Sequence, residues 1–352
     1  MNTEVKVVRE GRRESAIELF RIITMLCIVA HHYVVNSGIM NEITRENVFT
    51  FPSLFSLLFG WGGKTGINCF VLITGYFMCQ SQVSGRKFLK LILEIEFYRV
   101  VIYLIFLLSG YSQFSVKQLL KALIPLYGLG TGFTGSYLVF YLFIPYLNLL
   151  IKAMNQVQHL ALAGLCILTG TICQTFLKTP AAFTYVGWFM VLYFIASYIR
   201  LYPKKYFNNK RLWGIVLLVS LLLSWGSVIT GAWIYARWGY SVYYHFVSDS
   251  NKFLAVTTAV SAFLFFKNLG LEYHPVINKV AASAFGVLMI HANSDAMRQW
   301  LWKDLLNNTG AYGNSYFAVH ALLSVIGIYV FCALIDMIRI QCLEKPFFSW
   351  YP

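Results

Sequence analysis

Charged side chains are scarce in this sequence. Only 12% of its 352 residues are Asp, Glu, Lys or Arg, whereas 58% are hydrophobic. Soluble domains usually contain about 25% charged residues. The shortage excludes an ordinary soluble domain of this length and predicts a polytopic integral membrane protein of the all-α class.

Acidic residues are fewer than basic residues: the chain has 14 Asp and Glu against 28 Lys and Arg, which gives a net charge of +14. A basic balance can indicate a nucleic-acid partner, but here Lys and Arg are scattered between apolar segments and do not cluster with aromatic residues. Cytoplasmic loops and anionic lipid head groups account for this distribution. The sequence therefore predicts membrane lipids, and no nucleic acid, as partners.

Metal-ligand spacings and the short motifs of soluble enzymes are also missing. The seven cysteines lie within or beside apolar runs and show no spacing typical of a metal site. No P-loop, Rossmann fingerprint, GxSxG or HExxH motif occurs in a suitable context. We therefore expect neither a metal nor a permanently bound cofactor, and we interpret the cysteines as small core residues.

Ten apolar segments are long enough to cross a bilayer, which takes about 20 residues. They are residues 15–36, 53–79, 88–110, 133–151, 157–178, 182–201, 211–231, 253–270, 277–292 and 315–338. Residues 112–127 have the pattern of an amphipathic helix that lies on the membrane surface. The pattern predicts about ten transmembrane helices in one domain, residues 15–340.

The distribution of basic residues predicts how these helices are oriented. With a cytoplasmic N-terminus, the inside segments carry about twice as many Lys and Arg as the outside segments, as the positive-inside rule requires. Both termini are then cytoplasmic, with tails of residues 1–14 and 341–352. The N-terminal tail has no cleavage site after a short apolar core, so we expect no removable signal peptide.

The first segment carries ionisable side chains at membrane depth, where each costs at least about 2.5–3.5 kcal/mol. Arg21 and His32 are eleven residues apart, so they share one helix face at a separation of about 16 Å. A structural interpretation has Arg21 reach the inner head groups while His32 caps the outer end of the helix. A functional interpretation gives Arg21 an anionic ligand, with Glu18 orienting it, and gives His32 proton transfer.

Lys64 lies among glycines in the second segment, in the run GWGGKTG. One interpretation is close helix packing at small residues around a lysine that reaches the head groups. The other is a broken helix whose freed backbone and ammonium group line a polar cavity and bind an anionic part of a cofactor.

Two further segments carry candidate side chains. Arg86 and Lys87, at the start of the third segment, either set the topology or hold a phosphorylated cytosolic ligand. Further along that segment, Glu96 and Arg99 are spaced to neutralise each other. His291, at the outer end of the ninth segment, is either an interfacial histidine or a second polar group in an outward-facing pocket.

Four stretches of the chain together resemble a known family. They are Arg21-x10-His32, VLITGYFM at 71–78, TGSYLVFYLFIPYLN at 134–148 and SAFGVLMIHAN at 283–293. In this order they are similar to motifs of the type-3 membrane acyltransferases, the bacterial group that O-acylates cell-surface glycans. The resemblance covers residues 15–340, nearly the whole chain.

The resemblance implies acyl transfer across the inner (plasma) membrane. The donor would be cytosolic acyl-CoA, usually acetyl-CoA, and the acceptor a sugar hydroxyl of a surface polysaccharide or of its lipid-linked precursor. Arg21, helped by Arg86 and Lys87, would pair with the coenzyme's phosphates. His32 would act as general base or as a transient acyl carrier, with His291 as the matching second histidine. Some members carry an additional hydrolase-like domain, and without one we expect the reaction to be completed in the membrane or the acyl group to be passed to a partner.

Other functions remain open at this point. A transporter or flippase for a glycolipid or small anion would also use Arg21 and Lys64 as charges for its substrate. A protein that only channels acyl groups to a separate enzyme is a third possibility. The small-residue face of residues 60–66 would suit packing within one chain or in a homo-oligomer.

Overall fold

The computed structural model describes residues 14–124, 127–180 and 182–350. Within these residues the chain is helical, with turns and loops but no β-strand. The tail predicted for residues 1–14 lies outside the described residues except for Glu14, and so do the last two residues of the tail predicted for 341–352.

The helices follow one another along almost the whole described chain. The α-helices are α1 (Ser15–Val35), α2 (Ile39–Glu42), α3 (Phe51–Gly60), α4 (Gly63–Met78), α5 (Gly85–Leu108), α6 (Val116–Leu123), α7 (Gly132–Ala153), α8 (Gln156–Ile167), α9 (Cys173–Phe176), α10 (Tyr185–Leu201), α11 (Lys210–Trp238), α12 (Phe253–Lys267), α13 (Pro275–Ala282), α14 (Ala284–His291), α15 (Asp295–Gln299), α16 (Asn308–Ala311), α17 (Phe317–Arg339) and α18 (Lys345–Trp350). Leu168–Ile172, Trp300–Leu305 and Ile340–Glu344 are π-helical, and Lys205–Asn208 is a 3₁₀ helix.

Each of the ten apolar segments coincides with helix, and α6 lies where the amphipathic helix was predicted. By length and apolar composition, five helical runs of the described chain are candidate membrane spans: α1, α7, Gln156–Phe176, α11 and Phe317–Trp350. A sixth results if Pro275–His291 and Asp295–Ala311, bent by 95°, are taken as one span. The protein is therefore an all-helical, multi-pass membrane protein.

The other predicted spans do not meet the criteria of length and apolar composition, for two physical reasons. α10 and α12 are apolar but shorter, with 17 and 15 residues. α5 carries Glu94, Glu96 and Arg99 within its apolar stretch. Two of these charges neutralise each other as their spacing predicted, because Nη1 of Arg99 lies 3.0 Å from a carboxylate oxygen of Glu96.

The first helix occupies the centre of the bundle. α1 packs against α3, α4, α12, α13, α14 and α17. One apolar core lies mainly among α4, α7, α10 and α12, and a second joins α1 to α5, α14 and α17. Polar side chains on α1 can therefore meet partners from both halves of the bundle.

The glycine-rich second segment contains a helix break and also packs closely at its glycines. Its helix is broken, since α3 ends at Gly60 and α4 begins at Gly63. A Cβ atom on Gly63 would lie 2.2 Å from Cγ of His31, and one on Gly66 would lie 2.7 Å from Cγ1 of Ile28. Larger residues would push α1 away, so the glycines also serve close helix packing.

A buried ionic network joins α5 to the end of α17. The guanidinium of Arg339 lies 2.7 Å from Asp336, 3.2 Å from Glu94 and 3.0 Å from Glu344. The hydroxyl of Tyr98 donates to the same carboxylate of Asp336 at 2.8 Å. Arg339, Asp336 and Glu94 are all buried, so these contacts replace the water that the charges lose.

Candidate active site

The ends of α1 and α14 bring two histidines together. Nδ1 of His32 lies 2.9 Å from Nε2 of His291, although the residues are 259 positions apart. His291 is fully buried against the edge of the Trp302 ring, whereas His32 is partly exposed. Two side chains that the sequence singled out on separate segments thus form one site.

The hydrogen bonds of this pair fix which ring nitrogens carry protons. Nδ1 of His291 lies 2.6 Å from the carbonyl oxygen of Val287, which can only accept, so this nitrogen donates. Nε2 of a neutral His291 is then an acceptor and receives the proton of Nδ1 of His32. The remaining nitrogen of His32, Nε2, carries a free lone pair. Oriented in this way, His32 has the arrangement that a general base requires.

His291 is expected to act through His32, as a positioning residue. Replacing His291 with Phe removes the acceptor for Nδ1 of His32 and frees the imidazole to turn. We expect kcat for acyl transfer to fall at least about 10-fold, but less than the ~10²–10⁴-fold that a general base contributes. KM for acyl-CoA should change little. Steady-state kinetics on protein purified in nanodiscs would measure both values.

His291→Gln is the matched control, because the amide oxygen of glutamine can accept the same hydrogen bond. Partial recovery of kcat in this variant would separate orientation of His32 from simple packing. Equal losses in His291→Gln and His291→Phe would contradict the positioning role.

The neighbouring His31 has a structural partner. Its Nδ1 donates to the carbonyl oxygen of Gly60 at 2.6 Å. This carbonyl is free because α3 ends at Gly60, and the last carbonyls of a helix have no partner within it. Among the described residues, no group of three or more His, Cys, Asp or Glu side chains is placed to hold a metal ion.

Lys64 brings a positive charge to the same region. Its ammonium group donates to the hydroxyl of Tyr185 and lies 5.1 Å from the centre of that ring. It is close enough to His31 and His32 to act on both electrostatically. The broken helix thus places the ammonium within electrostatic range of His32.

Arg21 marks the other end of the α1 face. Its guanidinium lies 3.6 Å from the carboxylate of Glu18, and a quarter of its side chain is exposed. It acts electrostatically on Tyr137 of α7 and on Tyr329 of α17. On a straight helix, Arg21 and His32 are about 16 Å apart along the axis. The predicted pairing with Glu18 is therefore present, and part of the guanidinium is open to a further partner.

The four sequence motifs converge around Tyr137. Its hydroxyl hydrogen-bonds the hydroxyl of Thr74 at 3.0 Å, and its ring centre lies 6.1 Å from that of Phe285. Thr74 belongs to the stretch at 71–78, Tyr137 to the stretch at 134–148 and Phe285 to the stretch at 283–293. Arg21 of the first stretch acts electrostatically on Tyr137, so that stretch also lies in this region of the bundle.

Arg86 and Lys87 line a different pocket. It has a volume of 420 Å³ and is bounded by the start of α5 and by the segment around Lys345 and Phe348. The guanidinium of Arg86 donates to the carbonyl oxygen of Phe348 at 2.5 Å and lies 5.5 Å from its ring centre. Lys87 donates to the carbonyl oxygen of Gln82 at 3.2 Å. Lys90 and Glu344 also line the pocket and pair with each other at 2.6 Å, so Arg86, Lys87 and Lys345 leave it with an excess of positive charge.

Sequence reasoning missed two of these features. Lys345 and Phe348 lie in the segment that we predicted to be a tail, and only their basic and aromatic character hinted at a role. The partner of Glu94 was also missed, although Asp336 and Arg339 have the spacing of an ion pair on one helix face. Gly286, within SAFGVLMIHAN, must be a glycine because it packs against Asp336. A Cβ at this position would lie 2.3 Å from the carboxyl carbon of Asp336.

Comparison with known proteins identifies a family for this chain. A family model described as an acyltransferase domain, acyltransferase 3, matches residues 14–337. No curated protein and no solved structure was found to match the chain. The family match includes all four converging stretches and confirms the resemblance seen in the sequence. The chain belongs to the acyltransferase 3 family.

Proposed function

We propose that this protein is an integral membrane O-acyltransferase of the inner (plasma) membrane. It transfers an acyl group, in the first instance acetyl, from cytosolic acyl-CoA to a sugar hydroxyl of a cell-surface polysaccharide or of its lipid-linked precursor. The observation that carries the proposal is the pair of hydrogen bonds made by His291, to Val287 and to His32, from which we assign a tautomer of His32 with one basic nitrogen free, in a member of an acyltransferase family.

The helix geometry suits a donor that reaches through the membrane. Arg21 would bind a phosphate of the coenzyme, since guanidinium groups pair well with phosphate oxygens. The pantetheine arm would then extend along the bundle over about 16 Å and present its thioester to His32. Arg86 and Lys87, in their basic pocket, would hold further phosphate groups of the nucleotide.

The steps of the reaction follow from the tautomer of His32, in which Nδ1 carries the proton and Nε2 does not. Nε2 takes the proton of the sugar hydroxyl while the oxygen attacks the thioester carbonyl. The C–S bond then breaks, the acyl group stays on the sugar oxygen, and the coenzyme's sulfur leaves with the proton returned from Nε2. Nδ1 of His32 donates to His291 throughout, which keeps the ring in place. The same Nε2 would carry the acyl group if transfer proceeds through a covalent intermediate.

Lys64 has a place in this scheme. Its ammonium acts on His32 from the broken helix, where a positive charge would stabilise the negative oxygen of the tetrahedral intermediate. The same charge would attract the phosphate or carboxylate groups of the substrates as they enter.

The proposal includes a topology of ten transmembrane helices with both termini cytoplasmic, and one acyltransferase domain over residues 15–340. Helix in all ten apolar segments and the excess of basic residues in the inside segments support it. In this topology Arg21 lies near the cytoplasm and His32 near the outer face. Donor and acceptor then approach from opposite sides.

Binding of acetyl-CoA by the purified protein in nanodiscs tests the donor. Replacing Arg21 with Gln removes one charge-assisted contact, and we expect the dissociation constant to rise about 10–100-fold. Arg45→Gln, at an exposed position whose guanidinium binds the backbone carbonyls of Ala236 and Arg237, is the matched control and should bind as the parent does. Isothermal titration calorimetry or a radioligand assay would give the constants.

Three results would count against the proposal or a part of it. No detectable binding of any acyl-CoA would favour a transporter or flippase. Binding without transfer to any saccharide would favour a protein that passes acyl groups to a separate enzyme. Unchanged affinity in Arg21→Gln would remove Arg21 from the donor site.

A further inference from the structure

The basic pocket at the start of α5 takes one of its walls from the C-terminal segment of the described chain. Lys345, Phe348 and Ser349 of α18 line it together with Arg86 and Lys87. Its volume of 420 Å³ falls within the range of about 300–1,000 Å³ that is usual for small-molecule sites. The pocket therefore has room for one end of an organic ligand.

Glu344 fixes this wall in place. Its carboxylate lies 2.6 Å from the ammonium of Lys90 on α5 and 3.0 Å from the guanidinium of Arg339 at the end of α17. The side chain of Glu344 is only 9% exposed, so water screens these two pairs weakly. The next residue along the chain, Lys345, is thereby held at the pocket.

Three cations of the pocket have no carboxylate partner within the described part of the chain. Lys90 and Glu344 neutralise each other, which leaves the charges of Arg86, Lys87 and Lys345. Arg86 and Lys87 each donate to one backbone carbonyl oxygen and keep further N–H donors. All three side chains are exposed, so a ligand from the cytoplasm can reach them in the proposed topology.

Three positive charges match a phosphate monoester better than a bridging phosphate. A monoester carries about −1.5 to −2 charges at neutral pH, whereas a phosphate bonded on both sides carries a single charge. Coenzyme A has one monoester, the 3′-phosphate of its ribose, and a diphosphate bridge beside the pantetheine arm. The monoester lies at the end of the molecule that is far from the thioester, as the pocket lies on the membrane face opposite His32 in the proposed topology.

We propose that this pocket binds the 3′-phosphate of the donor and that Lys345 is a specificity-determining residue for it. The donor is then the free coenzyme A thioester. An acyl group on the phosphopantetheine of a carrier protein has the same arm but no 3′-phosphate, so it gains nothing from the pocket. The inference rests on the proposed acyltransferase function and narrows its donor to one class.

Arg21 cannot make this distinction. The pantetheine arm runs from Arg21 to His32 in the proposed scheme, so the phosphate at Arg21 belongs to the diphosphate bridge. Acetyl-CoA and acetyl-dephospho-CoA share that bridge, and loss of Arg21 should weaken both by the same factor. Loss of Lys345 should weaken only the donor that has the 3′-phosphate. The ratio between the two donors is a readout that a packing defect in α18 would not move.

Steady-state kinetics with these two donors, in phosphatidylcholine nanodiscs, tests the inference. We expect the parent protein to prefer acetyl-CoA about 10-fold in kcat/KM, mainly through KM. This is the lower end of the range for hydrogen bonds to a charged group, because the cations are exposed. Lys345→Gln should lose at least about two thirds of the preference, and Lys345→Arg should keep it. An acetylated carrier protein should be a poorer donor than acetyl-CoA.

Lys210→Gln is the matched control. Lys210 is an exposed lysine at the start of α11, on the same membrane face in the proposed topology, and it does not line the pocket. The preference should be unchanged in this variant. Equal kcat/KM for the two donors in the parent protein, an unchanged preference in Lys345→Gln, or equal use of the carrier protein would overturn the inference.

Binding of coenzyme A and dephospho-coenzyme A keeps this inference separate from the proposed reaction, because neither carries an acyl group. Calorimetry should show coenzyme A to bind about 10-fold more tightly to the parent protein, with little difference in Lys345→Gln. This result without transfer to any saccharide would count against the proposed function and leave the inference intact. Transfer with no such difference would do the reverse.

Lipid head groups of the cytoplasmic leaflet are a second source of phosphate for these cations. Phosphatidylglycerol is a diester with a single charge, so it should compete poorly with the 3′-phosphate. We therefore expect the preference for coenzyme A to persist when phosphatidylglycerol replaces phosphatidylcholine in the nanodiscs. Loss of the preference there would show that the lipid phosphate occupies the pocket, and would overturn the inference.

Discussion

Replacing His32 with Ala is expected to lower the rate of acyl transfer by about 10²–10⁴-fold, the usual contribution of a general base. The physical reason is the loss of Nε2, the ring nitrogen that the hydrogen bonds of His291 and Val287 leave unprotonated. Binding of acyl-CoA should persist, because the phosphates are expected to bind elsewhere, at Arg21 and in the basic pocket. Transfer of labelled acetyl from acetyl-CoA to an acceptor saccharide, in a single turnover, would measure the effect.

Two further variants test whether the basic nitrogen of His32 is what the reaction needs. His32→Gln keeps an N–H group that can donate to His291 but has no basic nitrogen, so it should be as inactive as His32→Ala. His274→Ala is the control, since His274 is an exposed histidine at the start of α13. If folded and inserted His32→Gln protein kept the parent rate, His32 would not be the base.

Replacing Arg339 with Met is expected to destabilise the protein by about 3–5 kcal/mol, the cost of removing one partner from a buried ionic network. Arg339 is 7% exposed and holds the carboxylates of Asp336, Glu94 and Glu344. Without it, Glu344 would keep its pairing with Lys90 at 2.6 Å, but Asp336 and Glu94 would remain together as negative charges in a site shielded from water. Equilibrium unfolding in mixed micelles would measure the change in the free energy of unfolding.

Arg298→Met provides the comparison for this effect. Arg298 also pairs with an aspartate three residues away, but its side chain is 40% exposed and that of Asp295 is 98% exposed. Solvent screens such a pair, so its loss should cost less than about 1 kcal/mol. A similar loss of stability in both variants would mean that the network of Arg339 does not stabilise the fold.

The ten long helical segments could be predicted from the sequence because an apolar run marks each of them. Each of the ten predicted segments is helical, and α6 lies where the amphipathic pattern placed it. The sequence does not decide whether the helix is broken between Gly60 and Gly63, because glycines favour both helix packing and helix interruption. Only the contact between Gly63 and His31 shows that one segment does both.

The candidate site could be predicted only in part. Spacing placed Arg21 and His32 on one face of α1, and the motif pattern drew attention to His291. The contact between His32 and His291 joins helices 259 residues apart, and its geometry depends on how α1, α14 and α17 pack. The basic pocket likewise depends on a C-terminal segment that folds back onto the start of α5. Neither arrangement has a local sequence signal.

Transfer across a sealed membrane tests the central claim most directly. Purified protein would be reconstituted into proteoliposomes and sorted for one orientation, with labelled acetyl-CoA on the side of Arg21 and the acceptor saccharide enclosed on the side of His32. We predict that the label appears on the enclosed saccharide with the parent protein and not with His32→Ala. Label that stays on the coenzyme, or that reaches only acceptors on its own side of the membrane, would contradict transmembrane acyl transfer through His32.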